Sequence, residues 1–183
     1  MSSDKKRCVW VNLDNDKYVK YHDEEWGVST YDDHRLFEML VLESFQAGLS
    51  WECVLNKRDA FRKAMDNFDL EKIIRYNDNK RQELLQNKNI IRNRLKIDAM
   101  ISNAKIFKDI KREKESFSNY IWSFTDGNTI YENDKTSSEL SDVISKDLKK
   151  RGMKFVGTTI IYSYLQAIGI VNSHDDNCFL SIK

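Results

Sequence analysis

The chain has 183 residues and a mass of 21.7 kDa, room for a single domain spanning residues 1–183. Thirty Lys and Arg against 29 Asp and Glu give a formal net charge of +1, which excludes a histone-like basic protein and an acidic solvating tail. Hydrophobic residues at 40%, among them 4 Trp, 8 Tyr and 9 Phe, suffice for a core and exclude wholesale disorder. No apolar run approaches the roughly 18 residues of a membrane span, and the N-terminus MSSDKKRCVW lacks the apolar stretch of a secretory signal. Three widely spaced Cys are too few for a disulfide framework. A cytoplasmic location is therefore expected, with no membrane partner.

Zero Pro and only 6 Gly argue against an all-β fold, whose tight turns recruit both. The periodicity predicts an all-α domain. Asp33 to Trp51 carries Leu36, Phe37, Leu40, Ala47 and Trp51 within one arc, and Phe61, Ala64 and Met65 mark a short helical piece. Asp69 reads as the N-cap of residues 70–76. Residues 80–86 form a helix, followed by Asn87-Lys88-Asn89-Ile90-Ile91 and a second helix from about Arg92. That second helix shows Ile97, Ile101, Ala104 and Phe107 at three- and four-residue steps. Ser116 reads as another N-cap, residues 127–135 as a loop or extended arm, and Leu140, Val143, Ile144 and Leu148 as one helix face. Thr159 to Ile168 is a hydrophobic helix ended by Gly169. No internal repeat, low-complexity tract or linker is present.

Charge is unevenly distributed. Residues 12–33 carry a net of −5, whereas residues 76–96 and 146–154 each carry +4. Concentrated basic segments on a near-neutral chain suit a polyanion on one face, or simply solvated helix surfaces. Where the helix after the Asn87–Ile91 turn begins, free backbone N–H groups and the macrodipole favour a phosphate, and Lys88, Arg92, Arg94 and Lys96 supply counter-charge.

Cys8 and His22 near one end of the chain, with His174 and Cys178 near the other, offer the sulfur and imidazole ligands that Zn²⁺ favours. The spacing of His174 and Cys178 fits one helical turn; that of Cys8 and His22 matches no familiar finger, so buried unliganded thiols stay open as the alternative. Four protein ligands would leave no position for water and make such a site structural. His22-Asp23 also admits a helical metal phosphohydrolase, but only His34 and His174 remain as further histidines for it.

On a helix numbered from Leu36 at about 100° per residue, Glu43 falls near −20°, in the same sector as core positions Leu36, Leu40, Ala47 and Trp51. A carboxylate in that sector is either paired with a buried cation or part of a working site. Gly48 weakens the helix after Ala47, so an exposed turn there is the alternative to continuity through Trp51. Trp10, Tyr18, Tyr21, Trp26, Phe45 and Trp51 crowd the same region; rings around one carboxylate suit a flat, amine-bearing or cationic ring, or else build ordinary core.

The stretches CVWVNLDNDKYVKYHDEEWGV (8–28), LFEMLVLESFQAGLSW (36–51), NIIRNRLKI (89–97), YIWSF (120–124), SKDLKKRGMKFVGTT (145–159) and VNSHDDNC (171–178) together resemble the DNA-3-methyladenine glycosylase I family. YHDEEWG, LESFQAGLSW and RGMKFVGTT keep both order and spacing, and the likeness runs from about residue 8 to 178. It implies a helix-hairpin-helix glycosylase fold of two helical lobes with one structural Zn²⁺ that clamps the termini, held by Cys8, His22, His174 and Cys178. It implies Glu43 as the base-recognition and catalytic-site glutamate, and Trp10, Tyr18, Tyr21, Trp51 and Ser163 as base-binding residues. Gly48 and Leu49 fall in the turn the family presses into the duplex, and Asn89, Arg92 and Lys96 in its DNA-binding hairpin.

The resemblance further implies a DNA repair enzyme that flips 3-methyladenine out of double-stranded alkylated DNA and hydrolyses its N-glycosidic bond. Free 3-methyladenine and an abasic site are the products, and a monomer is expected. The family lacks the catalytic Asp of other helix-hairpin-helix glycosylases, which leaves Glu43 mainly a recognition role. Asn89 stands where the family's hairpin usually has Gly; Asn tolerates a left-handed backbone better than most residues. Lys17 and Ser29 replace family prolines, and Cys53 and His34 match no family ligand. A catalytically silent DNA-binding module and a zinc-stabilised helical interaction protein are the rival classes.

Overall fold

The computed structural model describes residues 5–181. In chain order the helices are α1 (Asp16–Glu24), α2 (Asp33–Gln46), α3 (Trp51–Asn56), α4 (Arg58–Ala64), α5 (Leu70–Ile74), α6 (Asp78–Gln86), α7 (Arg94–Lys114), α8 (Phe117–Trp122), α9 (Glu139–Lys150) and α10 (Thr158–Ala167). Among the described residues no helix is long and apolar enough to cross a membrane. Two strand fragments, β1 (Ile130–Tyr131) and β2 (Val171–Asn172), pair in parallel within what is otherwise a helical fold, so residues 127–135 contain an extended arm.

Short polar side chains start most of these helices. Asn15, Asp32, Ser50, Asp69, Asn77, Asn93, Ser116 and Ser138 each accept a hydrogen bond from a backbone N–H of the first turn. Asp69 and Ser116 are the caps expected from sequence. The helix placed from about Arg92 begins at Arg94 instead, because Asn93 is its cap.

Helix α2 is the axis of the molecule. Its residues from Leu36 to Phe45 are all buried, against α10, α7, α3 and α8. The expected single arc from Leu36 to Trp51 is therefore corrected in two ways. The helix ends at Gln46, Gly48 takes a φ of +78°, and Trp51 opens α3 under the Ser50 cap. The whole circumference of α2 is covered, so facing the core does not by itself distinguish Glu43.

Gly169 ends α10, as expected, with a φ of +77°. It also lets the chain leaving α1 pass close by: Gly27 donates to Gln166 O and Thr30 to Ile168 O. A Cβ on Gly169 would lie 2.3 Å from Ser29 N and Val28 C, both backbone atoms. Gly169→Ala is thus expected to lower stability by about 2 kcal/mol or more, from left-handed strain plus forced displacement. Chemical denaturation would show a lower midpoint at unchanged slope.

Candidate active site and metal centre

Two carboxylates on α2 are buried and have opposite surroundings. Glu38 accepts from Arg58 Nε at 2.7 Å and from Arg62 Nε at 2.9 Å, and Arg58 continues to Glu25, which also pairs with Arg35. This is a structural ion network. Glu43 is 2% exposed, and its Oε2 has no hydrogen-bond partner among the described residues. Burial alone pushes its carboxyl well above the usual carboxylate range, with no neighbouring cation to oppose the shift.

Glu43 opens into a cavity of about 390 Å³ lined by Trp10, Tyr18, Tyr21, Trp26, Trp51 and Ser163. Every pocket residue expected from sequence is therefore in one place. Trp10 lies 5.2 Å from Tyr18 and 4.8 Å from Trp26, and Tyr21 lies 5.2 Å from Trp51. Burial, reinforced by Glu52 and Glu43, pushes the Tyr18 phenol up to about 12, so it stays a hydrogen-bond donor at neutral pH. Gln46 Oε1, Trp51 Nε1 and Ser173 Oγ, which also line the cavity, are buried without partners. Buried polar atoms are normally paired, so four unsatisfied groups converging on one cavity specify a polar ligand. Sequence reasoning left Gln46, Ser173 and Asp134–Thr136 out of the site. Gln46 was findable, one helical turn from Glu43; the residues of the arm and the C-terminal segment carry no local signal.

Beside this cavity, Cys8, His22, His174 and Cys178 are all buried, and their ligand atoms lie within 4.8 Å of one another. Cys8 Sγ is 3.5 Å from His174 Nδ1, and Cys178 Sγ is 3.5 Å from His22 Nε2 and 3.6 Å from His174 Nδ1. Metal–sulfur and metal–nitrogen bonds of about 2.3 and 2.1 Å at tetrahedral angles place such atoms about 3.6 Å apart, so the donor set fits one ion. The surroundings fit as well. His22 Nδ1 donates to Asp23 Oδ1 at 2.8 Å, leaving Nε2 for the ion, and Asp23 is clamped by Arg7 through both its oxygens. Asp175 N–H donates to Cys8 Sγ and Leu180 N–H to Cys178 Sγ. Burial pushes the Cys8 thiol up to about 12 and the His174 imidazole down to about 4, so without an ion the pair would stay neutral. His174 and Cys178 lie on an irregular turn closed by Cys178 N–H to Asp175 O, not on the expected helical turn.

Gly48 and Leu49 form an exposed turn, with Leu49 43% exposed. The Asn87–Asn93 connection is a tight turn in which the Asn87 side chain accepts from Asn89 N–H at 3.0 Å. Asn89 does not adopt a positive φ, so the left-handed tolerance expected of it goes unused. Lys88 and Arg92 are exposed there and form no ion pair among the described residues. Lys96 departs from expectation. It is 7% exposed, and its ammonium donates to Phe45 O at 2.8 Å and Ala47 O at 2.6 Å, so it is turned inward and not toward a phosphate. Position near a basic turn suggested the phosphate role; the hydrogen-bonding need of the end of α2 decides otherwise. His34 is engaged with Asn67 O at 2.6 Å, and Cys53 is a partly exposed free thiol.

The opposite surroundings of the two carboxylates predict opposite stability effects. A carboxyl whose folded pKa is raised binds its proton more tightly in the folded state, so stability falls as pH climbs above the unfolded value of about 4.5. Glu43→Gln is expected to melt higher than the parent at pH 7, with the difference shrinking toward pH 4. Glu38→Gln leaves Arg58 short of a buried partner and is expected to cost about 3 kcal/mol. Calorimetry of both variants across that pH range checks the signs.

A profile of the methyladenine glycosylase family matches residues 10–181. DNA-3-methyladenine glycosylase 1 of Escherichia coli (strain K12) is 45% identical over 180 residues, covering 94% of this chain and 95% of that protein. A crystal structure of 3-methyladenine DNA glycosylase I superposes with a TM-score of 0.92 at 45% identity, over 97% of this chain and 100% of the other. A variant of 3-methyladenine DNA glycosylase I solved in complex with 3-methyladenine matches at 31% identity and a TM-score of 0.91, over 100% of this chain and 99% of its own. The chain belongs to the methyladenine glycosylase family.

Proposed function

We propose that the chain is a monofunctional DNA repair glycosylase acting on 3-methyladenine in double-stranded alkylated DNA. It works as a cytoplasmic monomer, with the described residues 5–181 forming one helix-hairpin-helix domain. The observation that carries this reading is the unpartnered Oε2 of Glu43, buried at the end of a cavity walled by aromatic rings.

Methylation at N3 makes the adenine cationic and its glycosidic bond weak. Water adds to the sugar carbon C1′ and gives up a proton to solvent, and the base departs as neutral 3-methyladenine with the bonding electron pair, leaving an abasic site. The protein has little chemistry to add; it supplies extrusion, discrimination and stabilisation of an oxocarbenium-like sugar. Gly48 and Leu49 enter the duplex where the base has left the stack, while Lys88, Arg92 and the N–H groups around Asn89 hold the backbone. Trp10, Tyr18, Tyr21 and Trp51 take the flat cation between ring faces, and Ser163 lines the same cavity. The positive charge of the base favours the ionised form of Glu43, against the shift that burial imposes.

Ionised Glu43 accepts from the exocyclic amine of adenine. Guanine would present O6 there, an acceptor facing an acceptor, which strands a buried carboxylate at a cost of ~1–3 kcal/mol or more. The four-ligand cluster holds one structural Zn²⁺; a closed Cys₂His₂ set has no position for substrate, so its work is mechanical. Trp10 and Trp26 pack against His22 and His174, which ties the pocket wall to the metal site.

HPLC identification of the bases freed from methylated DNA tests the activity, with 3-methyladenine expected as the main product. Glu43→Gln is expected to slow release roughly ten- to a hundredfold, the worth of a charged hydrogen bond, while keeping fold and metal; full activity in that variant would overturn the assignment. Elemental analysis is expected to find one zinc per chain, and prolonged chelation or Cys8→Ser to lower the melting temperature. A stable metal-free preparation would sink the clamp.

A further inference from the structure

Helix α2 ends without the usual help. Its last turn has no basic residue, and no side chain within the helix caps it. Ala47 leaves the helix with φ −47° and ψ 116°, and the turn that follows is closed by one bond of its own, Leu49 N–H to Gln46 O at 2.7 Å. The carbonyls on either side of Gln46, those of Phe45 and Ala47, both accept from Lys96 Nζ. Lys96 sits in the first turn of α7, directly after the Asn87–Asn93 connection, and its backbone N–H is held by the Asn93 cap. Lys96 lines a small pocket together with Phe37, Leu40, Val41 and Met100, and its ammonium is fixed by the two carbonyls.

We propose that Lys96 is a positioning residue that fixes the Gly48–Leu49 turn relative to the hairpin, so that a grip on the DNA backbone sets where Leu49 enters the duplex. This rests on the proposed glycosylase reading. A single cation bonded to carbonyls on both sides of one residue resists both translation and rotation of the turn, which one neutral hydrogen bond would not. Burial opposes the charge on Lys96 and is tolerated because both carbonyls lie at the negative end of α2.

Lys96→Met keeps the length of the stem and removes both hydrogen bonds. Three measurements on the full chain separate positioning from general support. Free 3-methyladenine, titrated by tryptophan fluorescence, is expected to bind Lys96→Met within twofold of the parent, since the pocket is untouched. Base release from methylated duplex is expected to lose at least tenfold in kcat with KM nearly unchanged. In duplex carrying an abasic-site analogue, 2-aminopurine beside the gap is expected to lose most of its unstacking signal. Leu49→Ala should reproduce the duplex defect, and adding Lys96→Met to it should cost less than threefold more.

Lys96→Arg, a milder change, is expected to show the same duplex-specific defect at smaller size, and it carries the test should Lys96→Met not fold. Parent-like release from duplex, equal loss of free-base binding, or independent multiplication of the Lys96 and Leu49 effects would overturn the proposal. A parent protein that fails to bind 3-methyladenine would instead overturn the glycosylase reading. The 2-aminopurine measurement, which needs no methylated base, would still decide the role of Lys96.

Discussion

A carboxylate removed from water with nothing to donate to it is a standing cost, and the molecule is arranged around keeping that cost in place. Glu43 stays unpaired because α2 is clamped on every side. Ten consecutive buried residues hold the helix, and the Arg58 and Arg62 network on Glu38 anchors it one and a half turns away. Were α2 free to rotate or unwind by a turn, Glu43 would reach solvent and the penalty would vanish. Rigidity of the support is therefore a condition of the chemistry, since a group held in the wrong solvation state is only useful while it cannot relax.

The same condition explains where the four-ligand cluster lies. Val9 and Asp175, next to the ligands Cys8 and His174, line the cavity, and Trp10 and Trp26 stand between cluster and cavity. One wall of the pocket is thus built from the two ends of the chain, segments that would otherwise be the least constrained in the molecule. An ion held by Cys8 and Cys178 would close nearly the whole chain into a loop, where loop-closure entropy is large. The parallel pairing of Ile130 with Val171 supports the arm on the same side.

Much of this arrangement was legible in the sequence, and the exceptions share a cause. Helix starts were readable because a cap is a local interaction: Asp69 and Ser116 reach only a few residues ahead. The aromatic residues and the Cys8, His22, His174 and Cys178 cluster were readable because their chemistry is distinctive and their motifs keep their spacing. Lys96 was misassigned because its partners, Phe45 O and Ala47 O, are about fifty positions away and are main-chain atoms with no sequence signature. The burial of Glu38 went unread for a similar reason. On the same helical numbering it falls opposite Glu43, and it is buried by pairing with Arg58 and Arg62 arriving from α4, about which periodicity along α2 holds no information. Ser173 and Asp134–Thr136 enter the pocket from segments without periodicity at all.

An open cavity lined by unsatisfied polar atoms should collapse in a chain whose interior is otherwise filled by Phe, Ile and Leu. Collapse would require Trp10 and Trp26 to move inward, or α2 and α3 to close across the Gly48 turn. The first motion pulls on His22 and His174, and the second breaks the bonds from Lys96 to the end of α2. The two devices restrain different walls and share no residue, so neither substitutes for the other. A pocket so braced keeps its polar atoms apart before anything binds, so binding energy need not go into ordering the walls and remains for pairing those atoms, Glu43 Oε2 among them.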